Sequence, residues 1–127
     1  MIRRISPWGR LTDPDTSHEA AVNASHRAAT DRESVLITHY DHREHGLDDF
    51  ALAAIHGRQQ TSFGKRRQEL MVPKLGFVPE PWIDQHLDVD GRPVKAHTPS
   101  GSRCRVWRIT PAGMRAAEAL LGKQVAA

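Results

Sequence analysis

Between Gln60 and Met71 the chain carries Thr61, Ser62, Lys65, Arg66, Gln68 and Glu69. Lys, Arg and Gln are the side chains that reach phosphates and purine edges. At about 100° per residue, Phe63, Leu70 and Met71 fall on one side of a helix here. Lys65, Gln68 and Glu69 point the other way, with Arg66 at the margin and Thr61 and Ser62 at the start, where either could cap it. A helix packed by one face and offering cations and an amide from the other suits the major groove of DNA. A helical hairpin with a solvated basic face is the other reading of the same residues. Arg67 falls near the buried side, where an acid on the scaffold would pair with it. Gly64 lowers helix propensity by about 1 kcal/mol relative to Ala; close approach to a DNA backbone and plain tolerance both account for it.

The elements around this helix decide where it sits. Asp48 or Asp49 caps a preceding helix whose apolar side is Phe50, Leu52, Ala54 and Ile55, and Gly57 stops it in a left-handed conformation. After Leu75-Gly76-Phe77-Val78 the chain extends. Residues 103–110 read as a strand, with Cys104, Val106 and Thr110 on one side and Arg103, Arg105, Trp107 and Ile109 on the other. Asp90-Gly91 and Pro99-Ser100-Gly101 mark turns. Helix, turn, helix and a strand pair with a basic loop follow one another.

In that order the chain resembles the small winged helix-turn-helix DNA-binding proteins of actinobacteria and their phages, over roughly residues 13–115. Asp15-Thr16-Ser17-His18-Glu19-Ala20-Ala21 corresponds to the opening of their first helix, and Gln60 through Leu70 to the recognition helix. Thr98-Pro99-Ser100-Gly101 with Val106-Trp107-Arg108-Ile109-Thr110 corresponds to the wing. Thr110-Pro111-Ala112-Gly113 looks like the end of the wing in MarR-like regulators, where a further helix begins. The resemblance implies a mainly α fold with a small antiparallel β wing, double-stranded DNA as partner, no cofactor, and a homodimer formed by the terminal helices. Two departures stand out. The stretch from Pro79 to Ala96 exceeds a minimal wing, and Pro73 stops or kinks the recognition helix near Met71.

Residues 1–14 lack periodicity. Arg3, Arg4 and Arg10 have the reach to meet phosphates; a flexible terminus is the alternative. Thr16-Ser17-His18-Glu19 is a capping box for a small-residue helix to about Ala29. Asp31 caps the next, with Val35, Leu36, His39 and Tyr40 as its buried stripe and Gly46 at its end. Met114, Ala117, Leu120 and Leu121 give a last helix, 111–122, its apolar side. These elements form one winged-helix domain over 15–122, with a disordered tail at 123–127. Trp82 and Trp107 pack the core or wing.

The 127 residues carry a net charge of +3, with 39% hydrophobic and 26% charged residues, as in a soluble globular protein. The charge is segregated. Three arginines face nine acids over 11–57, five cations face Glu69 alone over 58–74, four acids stand without a cation over 75–90, and six cations stand without an acid over 91–115. One basic face that attracts a polyanion follows from this. The sole cysteine, Cys104, permits no internal disulfide and fits a cytoplasmic location. No apolar run reaches the roughly 20 residues of a membrane helix. His39, His42 and His45, spaced by three, fan across about 120° and lack zinc-site cysteines. Ser17-His18-Glu19 is contiguous and cannot form a triad, and no glycine-rich phosphate cradle exists. Nothing indicates an enzyme or a metal site.

The expectation is therefore a cytoplasmic phage-type transcriptional regulator or architectural factor. Thr61, Ser62, Lys65, Arg66, Gln68 and Glu69 meet bases and phosphates, and Arg92, Lys95, Arg103 and Arg105 of the wing hold the backbone. The rival is a winged-helix module that binds a host protein, using the long wing with Trp82 and Ile83 beside acids.

Overall fold

A computed structural model describes the backbone of residues 14–126 and the side chains of residues 20–123. The expected basic arm, with Arg3, Arg4 and Arg10, lies outside the described residues up to Pro14. The chain is mainly helical with a small antiparallel β region. Its elements are α1 (Pro14–Asp41), α2 (Asp49–His56), α3 (Gln60–Met71), β1 (Ile83–Gln85), β2 (Lys95–His97), β3 (Arg103–Arg105), β4 (Trp107–Ile109) and α4 (Pro111–Ala126). Among the described residues no helix is long and apolar enough to cross a membrane.

The two helices expected on either side of Thr30 are one. Neither Gly nor Pro interrupts the sequence between Asp15 and His45, and the Thr30 hydroxyl donates to the carbonyl of His26 at 3.1 Å, satisfied within the helix. Asp31 is not a cap: both its oxygens accept from Arg58, at 3.0 and 2.7 Å. Within the expected 15–122 domain, a boundary between Thr30 and Asp31 separates two sets of backbone contacts. Residues Ala20–Arg27 are exposed. At the other end α4 continues to Ala126, where a tail from 123 was expected; neither Pro nor a left-handed residue stops it.

From Asp31 onward the apolar periodicities converge on one core: Val35, Leu36, Leu47, Leu52, Phe63, Leu70, Val78, Ile83, Ile109 and Ala117. In α2 the inward residues are Leu52 and Ala53, while Ile55 and Ala54 are exposed. Asp48 is its cap, accepting from Ala51 N–H at 2.9 Å, and Gly57 (φ 63°) ends it. Val72 takes an extended conformation ahead of Pro73, so α3 stops at Met71 as the proline requires. Thr38 ties helices together: its hydroxyl donates to Ser34 O at 2.7 Å, so His56 Nε2 must be the donor in its 2.7 Å bond to Thr38 Oγ1.

The β region explains the long stretch after Pro79. β1 pairs with β4 and β2 with β3, both antiparallel. Residues 87–93 form a small inserted turn, closed by a Leu87–Pro93 bridge and by Asp88, whose carboxylate accepts from the N–H groups of Asp90 and Arg92. The single strand expected over 103–110 breaks at Val106, whose backbone bonds to Val94 and His86 instead. The break shifts the alternation: Val106 and Ile109 are both buried, where strict alternation puts them on opposite faces. Trp107 pairs with Leu47 on one side through two 2.9 Å backbone bonds and with Gln85 on the other. Gly46 (φ 76°) allows that approach, since a Cβ there would stand 2.5 Å from Trp107 O. Thr110 caps α4 through Gly113 N–H at 3.0 Å, and Gly113 lies so close to Trp82 O that no side chain fits.

His39 is fully buried and neither ring nitrogen has a hydrogen-bond partner. Burial is the main cause that lowers its pKa from 6.5 to about 4; Arg67 and His42 lower it further and Asp49 opposes them. The folded pKa lies below the unfolded one, so the contribution is complete above about pH 6.5 and is lost as pH falls towards 4. Its full extent is about 3 kcal/mol. Urea unfolding at a series of pH values should show wild type losing stability over this window and His39→Leu losing less by that amount. Parallel pH profiles for the two proteins would overturn a buried neutral imidazole.

Candidate nucleic-acid interface

Helix α3 packs through Phe63 and Leu70 and turns Thr61, Lys65 and Gln68 to solvent. These three recur at spacings of four and three, so they form one stripe along the helix. Ser62 is half-buried beside it. The helix begins at Gln60, one residue before the expected caps Thr61 and Ser62. Gln59 is its cap residue and makes no side-chain hydrogen bond, so the first-turn N–H groups have no side-chain cap.

Two of the expected contact residues are held elsewhere. Glu69 is buried at 7% exposure. One of its oxygens lies 3.0 Å from Arg32 Nη1 on α1 and 3.4 Å from Arg66 Nε. Glu69 is therefore no DNA contact: a carboxylate flanked by two guanidinium groups is a structural anion. Arg66, expected at the margin of the outward face, is half-buried and bent back onto Glu69. Arg32 also lies over the Phe77 ring, 4.0 Å from its centroid, which fixes that guanidinium from a second side.

Arg67 finds the acid expected for it. It donates to both oxygens of Asp49 on α2, at 3.0 and 2.6 Å, and lies over the Trp107 ring of β4 at 4.0 Å. The fork-shaped guanidinium suits both partners at once. Gly64 belongs to this arrangement. A Cβ there would meet Asp49 Oδ2 at 3.0 Å, so its absence lets α2 and α3 close around the ion pair. Gly64 thus lies against the ion pair, where a side chain would crowd the Asp49 carboxylate.

The hairpin β2–β3 gathers the other cations. Lys95 stands opposite Arg105 and His97 opposite Arg103, and all four are exposed on one face. Ala96 and Cys104 occupy the other face, half-buried. The Cys104 thiol is held above its ordinary pKa by burial first, then by the carboxylates of Asp48 and Asp49, so it is a poor nucleophile. Like charges directly opposite one another weaken a hairpin. Among the described residues no acid pairs with Lys95, Arg103 or Arg105; Arg105 donates instead to Gln85 Oε1 at 2.7 Å. Arg92 is exposed beyond this face, in the 87–93 turn. A shallow groove of about 300 Å³ runs between the hairpin turn and α2, lined by Asp48, Phe50, Ala51, Ala54, His97, Thr98 and Pro99.

The arrangement thus brings together Thr61, Lys65 and Gln68 on one surface and Lys95, Arg103 and Arg105 on another, and withdraws Glu69 and Arg66. His97 was missed by sequence reasoning, although its position two residues from Lys95 placed it on the same strand face. Trp107 lies under Arg67, as a packing residue. Among the described residues no three His, Cys, Asp or Glu side chains converge as metal ligands would.

Asp49 and Arg67 are 12% and 13% exposed, so removing one partner strands a largely buried charge. Arg67→Ala should lower the unfolding free energy by about 3 kcal/mol. Arg67→Lys should lose part of this, because an ammonium cannot grip both oxygens and cover Trp107. Equal stability of the wild type and both variants in denaturant titrations would remove the pair from its central position. No protein-family model, no curated protein and no solved structure matches this chain.

Proposed function

We propose that the protein binds double-stranded DNA as a winged helix, with β2–β3 as the wing on the phosphate backbone and α3 in the major groove. The cationic hairpin face carries this reading. Lys95, Arg103 and Arg105 repel one another, and among the described residues no acid relieves them. A polyanion would supply that relief. The order of elements also supports it: α1, the Leu47 bridge to β4, α2, α3 and then the β1–β4 pair enclosing the hairpin are compatible with a winged helix. In a phage-type setting such a protein acts as a transcriptional regulator or an architectural factor.

A groove of about 340 Å³, lined by Trp82, Ala116, Ala119 and Leu120 with Glu33 and Lys123, favours a second reading. A partner's amphipathic helix would suit such an apolar trough. That partner would be a host protein, or a second copy that makes the molecule a dimer. Ile83 takes no part, being fully buried.

The experiment that tests the DNA reading is duplex binding across a salt series. With Lys65, Arg92, Lys95, Arg103 and Arg105 as the contacts, log K should fall against log salt with a slope of roughly −4 to −5, near −0.9 per contact. Arg103→Ala should weaken specific and random duplexes alike and reduce the slope by about one. Binding that is absent at low salt, or indifferent to salt, would defeat the DNA reading and leave the groove as the better guide to function. Sedimentation equilibrium at tens of micromolar reads the dimer separately; a monomeric mass excludes it.

A further inference from the structure

We infer that α3 reads a purine step, Lys65 contacting a guanine and Gln68 the adjacent adenine. The inference rests on the DNA reading above and narrows it to two side chains. Eight polar residues lie in α3: Gln60, Thr61, Ser62, Lys65, Arg66, Arg67, Gln68 and Glu69. Gln60 and Ser62 are half-buried in the first turn. Arg67 is committed to Asp49 and Trp107, Glu69 to Arg32, and Arg66 to Glu69. With Glu69 withdrawn, no carboxylate is left to accept from cytosine N4. With Arg66 and Arg67 withdrawn, no guanidinium is left for a two-pronged contact to guanine. Lys65 and Gln68 remain, both exposed, and among the described residues neither side chain has a hydrogen-bond partner.

Their chemistry and spacing then choose the bases. Lys donates to guanine O6 and N7; the Gln amide donates to adenine N7 and accepts from N6. Three residues advance about 4.5 Å along a helix, against the roughly 3.4 Å that separates successive base pairs. A helix lying along the groove therefore sets the two side chains over neighbouring pairs. Thr61 lies a further turn back on the same stripe, at the helix end whose N–H groups face a phosphate more readily than a base. Two base-reading side chains give a short site and modest selectivity, with the wing supplying affinity that does not depend on sequence.

The test uses the full chain and a random duplex library, followed by Lys65→Ala and Gln68→Ala and by duplexes carrying 7-deazaguanine or 7-deazaadenine, which lack the N7 acceptor. Selected duplexes should share a guanine–adenine step. Gln68→Ala should bind them on the order of tenfold more weakly and become indifferent to 7-deazaadenine, while its affinity for random duplex stays unchanged. Lys65→Ala should become indifferent to 7-deazaguanine in the same way, and in addition lose its share of the salt-dependent affinity for random duplex. Salt-dependent binding with no enriched step, or a preference that survives both substitutions, overturns this inference while leaving the DNA reading intact. No binding to any duplex at low salt overturns both.

Discussion

The bidentate pair between Asp49 and Arg67 is the interaction on which the remaining geometry depends. It joins α2 to α3, and through the cation–π contact with Trp107 it joins both to β4. Asp49 stands in the first turn of α2, where a carboxylate also complements the helix dipole. Two desolvated charges are stabilising only if their geometry is good and their other faces are satisfied. Both conditions are met by the fork-on-carboxylate contact and by the indole that covers the guanidinium. A Cβ at Gly64 would stand 3.0 Å from Asp49 Oδ2, so glycine leaves room beside the carboxylate. Trp107 is itself held by backbone bonds to Leu47, so the pair reaches the segment that enters α2.

Charges in this chain divide into those that build and those that remain outward. Arg32, Arg58, Arg66 and Arg67 each pair with an acid. The helical acids Asp31, Asp49 and Glu69 serve as their partners, three of the ten acids before residue 70. Lys65, Lys95, Arg103 and Arg105 are left exposed. The net charge of +3 understates the surface consequence, because among the described residues the cations of the β2–β3 hairpin find no acid, while Arg66 and Arg67 of α3 do. This segregation supports the proposed polyanion partner more strongly than the total does.

His39 illustrates a different constraint. An imidazole with no hydrogen bonds in a packed core must stay neutral, and its neighbours Asp49 and Arg67 act on it in opposite senses. Proximity to the ion pair does not rescue the charged form, because desolvation outweighs the attraction of one carboxylate already engaged by arginine. The core thus places a titratable group beside its principal ion pair, and stability there is linked to protonation. The inserted turn at 87–93 has the opposite character: it projects from the β pair, closed by its own backbone and by Asp88, and Val89 is fully exposed.

Features that depend on a few neighbouring residues were legible in the sequence. The Asp48 cap, the left-handed Gly57, the stop before Pro73, the start of α4 at Thr110-Pro111 and the inward stripe of Val35, Leu36 and His39 each follow from local stereochemistry or helical period. The outward position of Lys65 and Gln68 followed from the same period. Tertiary structure alone decided the rest. Glu69 has the phase of an outward residue yet is buried, because Arg32, 37 positions earlier in the chain, meets it. Asp31 has the composition of a helix cap yet pairs with Arg58, 27 positions away, and α1 runs through it. Val106 interrupts the strand because Val94 and His86 take its backbone bonds. A side chain's local phase states which way it leaves its own element; whether it then meets solvent or an opposite charge depends on what the fold carries to that spot.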